Sequence, residues 1–143
     1  MNIVDLLKAD HREAKNLLNK TENNRNQEAF NELKNALTNH TKIEEELFYP
    51  ALEEFEECED LIDEAYQEHN DVDQILEEMS EVEINGETFQ ELLFQLKESV
   101  YHHIEIEEEQ ILSKAEMVLD AEILEEMGNQ AENLKNESLV FGI

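Results

Sequence analysis

The stretch that decides the fold is NHTKIEEELFYPAL, Asn39–Leu52. Together with the residues before it, this stretch places side chains on one helix face at steps that alternate between three and four positions. The members of that face are Phe30, Leu33, Leu37, His40, Glu44, Leu47 and Ala51. All are apolar except His40 and Glu44, which predicts an amphipathic helix packed against a core. Because a buried ionisable group is costly unless it is paired or binds a metal, these two residues indicate a partner inside the core.

The rest of the chain predicts an all-α fold. The sequence contains 3 Gly and 1 Pro, and its long segments rich in Glu, Leu, Lys and Asn favour helices. Short connections between long amphipathic helices are typical of an up-down-up-down four-helix bundle. We expect one domain, 1–143, with the bundle over about 3–118 and a short additional C-terminal helix over about 121–136. The four long helices are predicted over about 3–20, 27–56, 60–82 and 88–118.

Several residues mark the expected helix ends. Asn2 and Asp120 are predicted to cap the first and last helices, and Thr88 with Glu91 forms a capping-box pattern at the start of the fourth. Pro50 is expected to kink the second helix or to divide it about one turn earlier.

The charge of the chain limits its partners. With 38 acidic and 10 basic residues the formal charge is −28, so nucleic acid and anionic membranes would repel it. The single Cys58 excludes an internal disulfide and fits a reducing compartment. The sequence has neither an apolar run approaching the roughly 20 residues of a membrane span nor a secretory signal at MNIVDLLKADH. We therefore expect a cytoplasmic protein without nucleic-acid or membrane partners, and we leave its oligomeric state open.

The other long helices show the same interrupted apolar faces. The first is Val4, Leu7, His11, Ala14 and Leu18; the third is Ile62, Ala65, His69, Val72, Leu76 and Met79; the fourth is Phe89, Leu93, Leu96, Val100, His103, Glu107 and Ile111. The four faces thus contain six ionisable residues, which are His11, His40, Glu44, His69, His103 and Glu107.

The ionisable residues belong to a sequence repeat. HTKIEEELF at His40 resembles HIEIEEEQI at His103, and DHREAKNLL around His11 resembles EHNDVDQIL around His69. In an antiparallel bundle, such a repeat places its two halves about a pseudo-twofold axis. Each glutamate follows its histidine by four residues, which is about 6 Å of rise, so both side chains of a pair project inward one turn apart.

Four imidazoles and two carboxylates converging on the bundle axis predict a metal site. The set suits iron, manganese or zinc, and two carboxylates among four histidines suit two ions that both carboxylates bridge. A single histidine on an apolar face is more often a core residue with satisfied hydrogen bonds, but four such residues with two matched pairs are hard to attribute to chance. His102 lies about 100° off its face and is expected at the surface or as an outer partner of a ligand. Solvated faces are expected for Glu45, Glu46, Glu108 and Glu109.

These residues make the chain resemble the hemerythrin-like proteins of the HHE cation-binding family. The resemblance covers nearly the whole chain and is carried by DH at Asp10–His11, HTKIEEELFYP at His40–Pro50, EH at Glu68–His69 and HHIEIEEEQIL at His102–Leu112. It implies a four-helix bundle with a non-haem di-iron centre. The resemblance further implies that the terminal ligands are His11, His40, His69 and His103. It implies that the bridging carboxylates are Glu44 and Glu107.

The chain departs from the oxygen-carrying hemerythrins at two positions. Those proteins have a His-x-x-x-His pair in the third helix, whereas His69 is followed at that spacing by Asp73. They also end with His-x-x-x-x-Asp, whereas His103 is followed by Glu107. A fifth histidine ligand is therefore missing, and we expect Asp73, His102 or water at its position, or a more open iron. These differences weaken the oxygen-carrier assignment more than the di-iron one.

The sequence leaves three functions open. The first is a di-iron protein that reversibly binds O2 or a related small molecule such as NO or peroxide, in a pocket with an apolar lining that includes Leu37, Val72, Leu96 and Val100. The second is a di-iron enzyme: a peroxidase, an NO reductase or an iron-centre repair protein. The third is an iron or oxygen sensor or a storage protein. Manganese and zinc also fit the ligand set.

Overall fold

The chain folds into a bundle of helices with short connections. The computed structural model describes the backbone of residues 1–141 and the side chains of residues 1–137. The helices are α1 (Ile3–Asn23), α2 (Gln27–Ile43), α3 (Tyr49–Glu53), α4 (Glu56–Ser80), α5 (Glu87–Ile106), α6 (Leu112–Val118) and α7 (Ala121–Phe141). A first π-helical turn, Glu44–Phe48, joins α2 to α3, and a second, Glu107–Ile111, joins α5 to α6. No strand occurs among the described residues, and the predicted all-α class is confirmed.

The four long helices close a ring around the core. Helices α1 and α4 do not neighbour each other in sequence, but each contacts both α2 and α5. The C-terminal helix α7 packs mainly along α1 and also contacts α2. This arrangement confirms the predicted bundle with an additional C-terminal helix. None of the described helices combines the length and apolar character that a membrane crossing requires.

The predicted caps of the first and last helices form. The Asn2 side-chain oxygen accepts a hydrogen bond from the backbone N–H of Asp5 at 2.9 Å. The Asp120 carboxylate accepts one from the backbone N–H of Ile123 at 3.1 Å. Each bond satisfies an N–H that has no partner within its own helix, so both residues stabilise the helix starts that the sequence indicates.

The predicted Thr88–Glu91 capping box is wrong. Helix α5 begins at Glu87, and its N-cap is Gly86, so Thr88 already lies inside the first turn. The cause is the preceding turn, in which the N–H of Gly86 donates to the carbonyl of Glu83 at 3.0 Å. That turn directs the chain into the helix before Thr88 is reached.

Other helix bounds differ from the prediction by a few residues. Helix α3 ends at Glu53, and α4 begins at Glu56, earlier than predicted, because Phe55 between them is extended, with φ −102° and ψ 120°. The acidic residues that follow then occupy the first turn of α4, where negative charge stabilises a helix. Helix α7 continues to Phe141 rather than to about residue 136. Residues 142–143, at the end of the predicted domain, lie outside the described residues.

The second predicted helix is divided before Pro50, as expected, but the proline is not the whole cause. The division is the first π-helical turn, which ends at Phe48. In the second sequence copy, Ser113 stands 63 residues after Pro50, and the second π-helical turn forms there without a proline. The common feature of the two turns is a His-x-x-x-Glu segment whose glutamate is the first residue of the turn.

The first π-helical turn changes which side chains face the core. Helical spacing predicts Leu47 and Ala51 inside, but both are only partly buried, whereas Phe48, Tyr49 and Leu52 are each 0% exposed. A π-helical turn contains about one residue more than an α-helical turn, so the side chains after it are rotated relative to the α-helical register. The predicted register of Leu47 and Ala51 is wrong for this reason.

The core consists of two apolar clusters, one toward each end of the bundle. The first includes Leu7 and Phe48 and extends to the buried residues of α7. The second includes Ala14, Phe30 and Phe89, and the rings of the two phenylalanines meet edge to face with centroids 5.3 Å apart. Along α1, His11 lies between Leu7 of the first cluster and Ala14 of the second. The ionisable residues therefore occupy the layer between two apolar clusters.

The Phe30–Phe89 pair supports a first prediction. Replacing Phe89, which is 0% exposed, by alanine should lower the free energy of unfolding by about 3–5 kcal/mol, because it removes apolar contacts and leaves a cavity. The control is Phe94→Ala in the same helix, whose side chain is 64% exposed and whose loss should cost less than about 0.5 kcal/mol. Urea unfolding measures both, and equal losses would contradict this description of the core.

Candidate metal centre

The structure brings together all six ionisable residues of the apolar faces. The four histidines come one from each long helix and the two glutamates each begin a π-helical turn: His11 (α1), His40 (α2), His69 (α4), His103 (α5), Glu44 and Glu107. Both glutamate side chains are 0% exposed, and the most accessible histidine, His40, is only 13% exposed. Their potential ligand atoms form two compact groups that share Glu44: His11, His40, Glu44 and Glu107 in one, and Glu44, His69 and His103 in the other.

The histidines form two pairs. We define subsite A as His11 and His40, and subsite B as His69 and His103. Glu107 spans the two subsites, because its Oε1 lies 2.9 Å from Nε2 of His11 and its Oε2 lies 3.2 Å from Nε2 of His103. Its two oxygens therefore face different subsites.

Glu44 lies between the subsites in a related way. Its Oε1 is 3.2 Å from Nε2 of His40 and 3.0 Å from Nε2 of His69. Each glutamate thus contacts one histidine of each subsite, as a carboxylate that bridges two cations would have to do.

Every histidine of the cluster also contacts a second carboxylate through its other ring nitrogen. The pairs are His11–Glu108 (2.7 Å), His40–Asp10 (3.1 Å), His69–Glu45 (2.7 Å) and His103–Glu68 (2.7 Å), each measured from Nδ1. A carboxylate can only accept, so the hydrogen lies on Nδ1 and each ring is oriented with Nε2 toward the centre. Outer carboxylates of this kind orient and strengthen metal-binding histidines.

Two of these outer partners correct the sequence prediction. Glu45 and Glu108 were expected on solvated faces, but their side chains are only 35% and 36% exposed and their carboxylates contact histidines. Glu46 and Glu109 are exposed, as expected. The sequence does contain a pattern that indicates these partners. In both sequence copies, each outer carboxylate is the chain neighbour of one of the six cluster residues.

The centre of the cluster requires positive charge. When the four histidines are neutral and carry their hydrogens on Nδ1, the two glutamates and the inward Nε2 atoms all present electron pairs to the centre. Nε2 of His40 and both side-chain oxygens of Glu44 are buried and have no hydrogen-bond partner among the described residues. A buried polar atom in that condition is costly, and a cation that accepts those electron pairs would remove the cost.

The pKa shifts of His40 and His103 also indicate that the cluster requires positive charge. Burial by itself would lower the pKa of His40, but the carboxylates of Glu44 and Asp10 outweigh burial and raise this pKa to about 10. Burial is likewise outweighed at His103, where Glu107, Glu44 and Glu68 raise the pKa to about 12. In the chain without metal, protons on these rings thus supply part of the charge that the carboxylates require.

Tyr49 is a member of the site that helical spacing does not reveal. Its hydroxyl donates a hydrogen bond to Oε2 of Glu107 and lies 3.4 Å and 3.5 Å from Nε2 of His69 and His103. The ring stacks on His69 with centroids 5.4 Å apart. The residue 63 positions later, Leu112, is apolar, so the second sequence copy does not reproduce the Tyr49 hydroxyl.

The residues expected to replace the missing histidine ligand lie elsewhere. Asp73 is exposed, and neither of the ligand groupings among the described residues includes it. The side chain of His102 is 62% exposed and lies 3.5 Å from Glu68, which is the outer partner of His103. Instead, the hydroxyl of Tyr49 lies beside Nε2 of His69 and His103. The first π-helical turn explains this arrangement, because it rotates Tyr49 into the core.

A small apolar cavity adjoins the four histidines. Its volume is about 30 Å³, and its other lining residues are Ala14, Leu37, Thr41, Val72, Val100 and Ile104. Leu37, Val72 and Val100 were predicted as lining, whereas Leu96 is buried but does not line the cavity. A cavity of this size holds a molecule of one or two non-hydrogen atoms, since a single water needs about 10–15 Å³ by the same measure of volume.

The outer carboxylates support a second prediction. Glu45→Gln removes the charge that orients His69, so the affinity for a divalent metal should fall by about 10- to 100-fold. Glu46→Gln makes the same chemical change at the exposed neighbouring position and should leave affinity unchanged. Isothermal titration with a divalent metal measures both variants, and matching affinities would show that the Glu45–His69 contact does not support the site.

Comparison with known proteins agrees with the geometry. A curated relative, a DNA nickase of Nostoc sp. (strain PCC 7120 / SAG 25.82 / UTEX 2576), is 26% identical over 141 residues, which are 96% of this chain and 40% of that protein. The chain therefore spans less than half the length of this relative. No solved structure gave a significant match. The family model of the hemerythrin HHE cation-binding domain matches residues 2–115. The chain belongs to the hemerythrin HHE cation-binding family.

Proposed function

We propose that the chain holds two iron ions and binds O2, or a related small molecule such as NO or peroxide, in the cavity beside them. His11 and His40 would hold the ion of subsite A, and His69 and His103 that of subsite B. Glu44 and Glu107 would contact both ions. The function is proposed for a cytoplasmic protein with no nucleic-acid or membrane partner.

The observation that carries this proposal is the condition of Glu44. The residue is fully buried, and neither of its carboxylate oxygens has a hydrogen-bond partner among the described residues. A core carboxylate in that state would destabilise the fold unless a cation neutralised it. Because imidazole nitrogens share the space with carboxylates, the chemistry of the donors fits iron, and it also accepts manganese or zinc.

The residues around the cluster support binding of a small, weakly polar molecule. Leu37, Val72 and Val100 give the cavity an apolar wall, which disfavours water and charged species relative to a diatomic gas. Bound ferrous ions would supply electrons and an open coordination position to such a ligand. The histidines are held by four outer carboxylates, so the ligand atoms would keep their places while the small molecule enters and leaves.

Tyr49 favours a second candidate, which is a di-iron enzyme that consumes peroxide or NO. Its hydroxyl donates a hydrogen bond to Glu107 at the edge of subsite B, and burial raises the pKa of this phenol, helped by the charges of Glu44 and Glu107. The hydroxyl therefore stays protonated at neutral pH and is a hydrogen donor beside the centre. Sustained peroxide or NO consumption would support this candidate, and a reversible spectral change without consumption would support the binding protein.

The histidine pKa values support a prediction of pH dependence. Since the pKa values of His40 and His103 are raised to about 10 and about 12, both rings are protonated at pH 7 in the chain without metal. Metal binding needs the Nε2 electron pair, so loading at pH 7 should release protons, including those of His40 and His103. The affinity should therefore fall as the pH is lowered. Calorimetry in buffers of different ionisation enthalpy measures the protons, and release of none would contradict metal binding through these rings.

The ligand assignment is tested on protein purified without oxygen. We expect about two irons per chain and a charge-transfer band that appears when air is admitted and disappears when it is removed. His40→Ala and Glu107→Ala should each abolish binding of at least one iron, whereas His102→Ala, a control at an exposed histidine, should not. Two irons with irreversible oxidation would favour an enzyme or a sensor, and absence of metal after reconstitution would refute the proposal.

A further inference from the structure

The outer carboxylates of the cluster obey a twofold pattern that is broken at one position. In the first half, Asp10 on α1 contacts His40 on α2; in the second, Glu68 on α4 contacts His103 on α5. In each carboxylate, the oxygen that does not contact the cluster histidine has a different partner. Oε2 of Glu68 faces His102, the chain neighbour of His103, so that contact adds no further helix.

The partner of Asp10 comes from a different part of the chain. Lys135, on α7, donates a hydrogen bond to Oδ1 of Asp10, while Oδ2 of the same carboxylate accepts from Nδ1 of His40. Both oxygens of Asp10 are thus occupied, and the carboxylate is only 14% exposed. Two successive hydrogen bonds, from the lysine ammonium to the carboxylate and from the imidazole to the same carboxylate, therefore connect α7, α1 and α2. The connection ends at subsite A.

Helix α7 is held close to α1 before it reaches Lys135. A Cβ atom on Gly128 would lie 1.9 Å from the carbonyl oxygen of Met1, so the two backbones meet at a distance that only glycine permits. Leu124, Met127 and Ala131 on the same helix are buried in the first apolar cluster. These contacts limit the positions that the Lys135 ammonium can take. Helix α7 also lies beyond residues 2–115, to which the family model extends.

We propose that Lys135 is a positioning residue of subsite A, through which the C-terminal helix and the metal centre stabilise each other. The inference rests on the proposed metal-binding function. The ammonium fixes the Asp10 carboxylate on Nδ1 of His40 and thereby keeps Nε2 directed at the ion. Among the described residues no such link joins subsite B to α7, so we expect the two subsites to differ in affinity. Because coupling between two equilibria is reciprocal, metal in subsite A also holds α7 against α1.

Metal titration tests the first half of this inference. Anaerobic titration with Co²⁺, followed by visible absorption, should resolve two binding steps in the wild-type chain. Lys135→Met should weaken one step by about tenfold, the lower end of the loss seen when an outer partner of a metal ligand is removed, and leave the other unchanged. Lys135→Arg should restore it. The control is Lys20→Met, which removes a surface lysine paired with Glu32 at 3.0 Å and should change neither step.

Hydrogen exchange tests the reciprocal half. Loading the wild-type chain with Co²⁺ should slow amide exchange in residues 128–137, and the same loading should not slow it in Lys135→Met. A merely structural role of Lys135 would raise exchange equally with and without metal, and that result would overturn the inference.

The outcomes separate this inference from the function on which it rests. Two unchanged binding steps in Lys135→Met, or equal weakening of both, would overturn the role of Lys135 while leaving the metal centre intact. Failure of the wild-type chain to bind Co²⁺ or Fe²⁺ would instead refute the proposed function and the inference with it. Weakening of one step alone, together with loss of metal-dependent protection, would establish the coupling.

Discussion

Two fully buried carboxylates, Glu44 and Glu107, are the constraint on which the rest of the structure depends. A carboxylate withdrawn from water costs several kcal/mol unless positive charge replaces the water. Here the replacement must come from the middle of a helical bundle, between two apolar clusters. Each of the four long helices therefore contributes one histidine to that layer. The bundle brings these histidines together, and a cation bound at the cluster would in turn join the four helices to one another.

The outer carboxylates orient the four histidines toward the centre of the cluster. Their contacts place a hydrogen on Nδ1 of each of the four cluster histidines and leave its Nε2 facing inward. The chain carries many more acidic than basic residues. Part of that excess orients the histidines of the cluster. An acidic surface close to the site also raises the local concentration of cations.

The twofold arrangement of contacts is exact in pairing but unequal in chemistry. Tyr49 places a hydroxyl beside subsite B where the equivalent residue, Leu112, is apolar. Lys135 places an ammonium on the carboxylate behind subsite A where the equivalent contact uses His102. Two ions bound in such a centre would have different surroundings, which is useful when one ion must accept a small molecule while the other keeps its ligands.

Helical periodicity by itself determined the fold class and all six residues of the cluster, because spacing along one helix decides which side chains share a face. Tyr49 escaped that reasoning, since a π-helical turn changes the register within the helix. Glu45 and Lys135 escaped it as well, because their partners His69 and Asp10 lie on other helices, the latter 125 residues away. The sequence therefore determined what the core must neutralise. Only the packing of helices against one another decided which outer groups orient the histidines and how the two subsites differ.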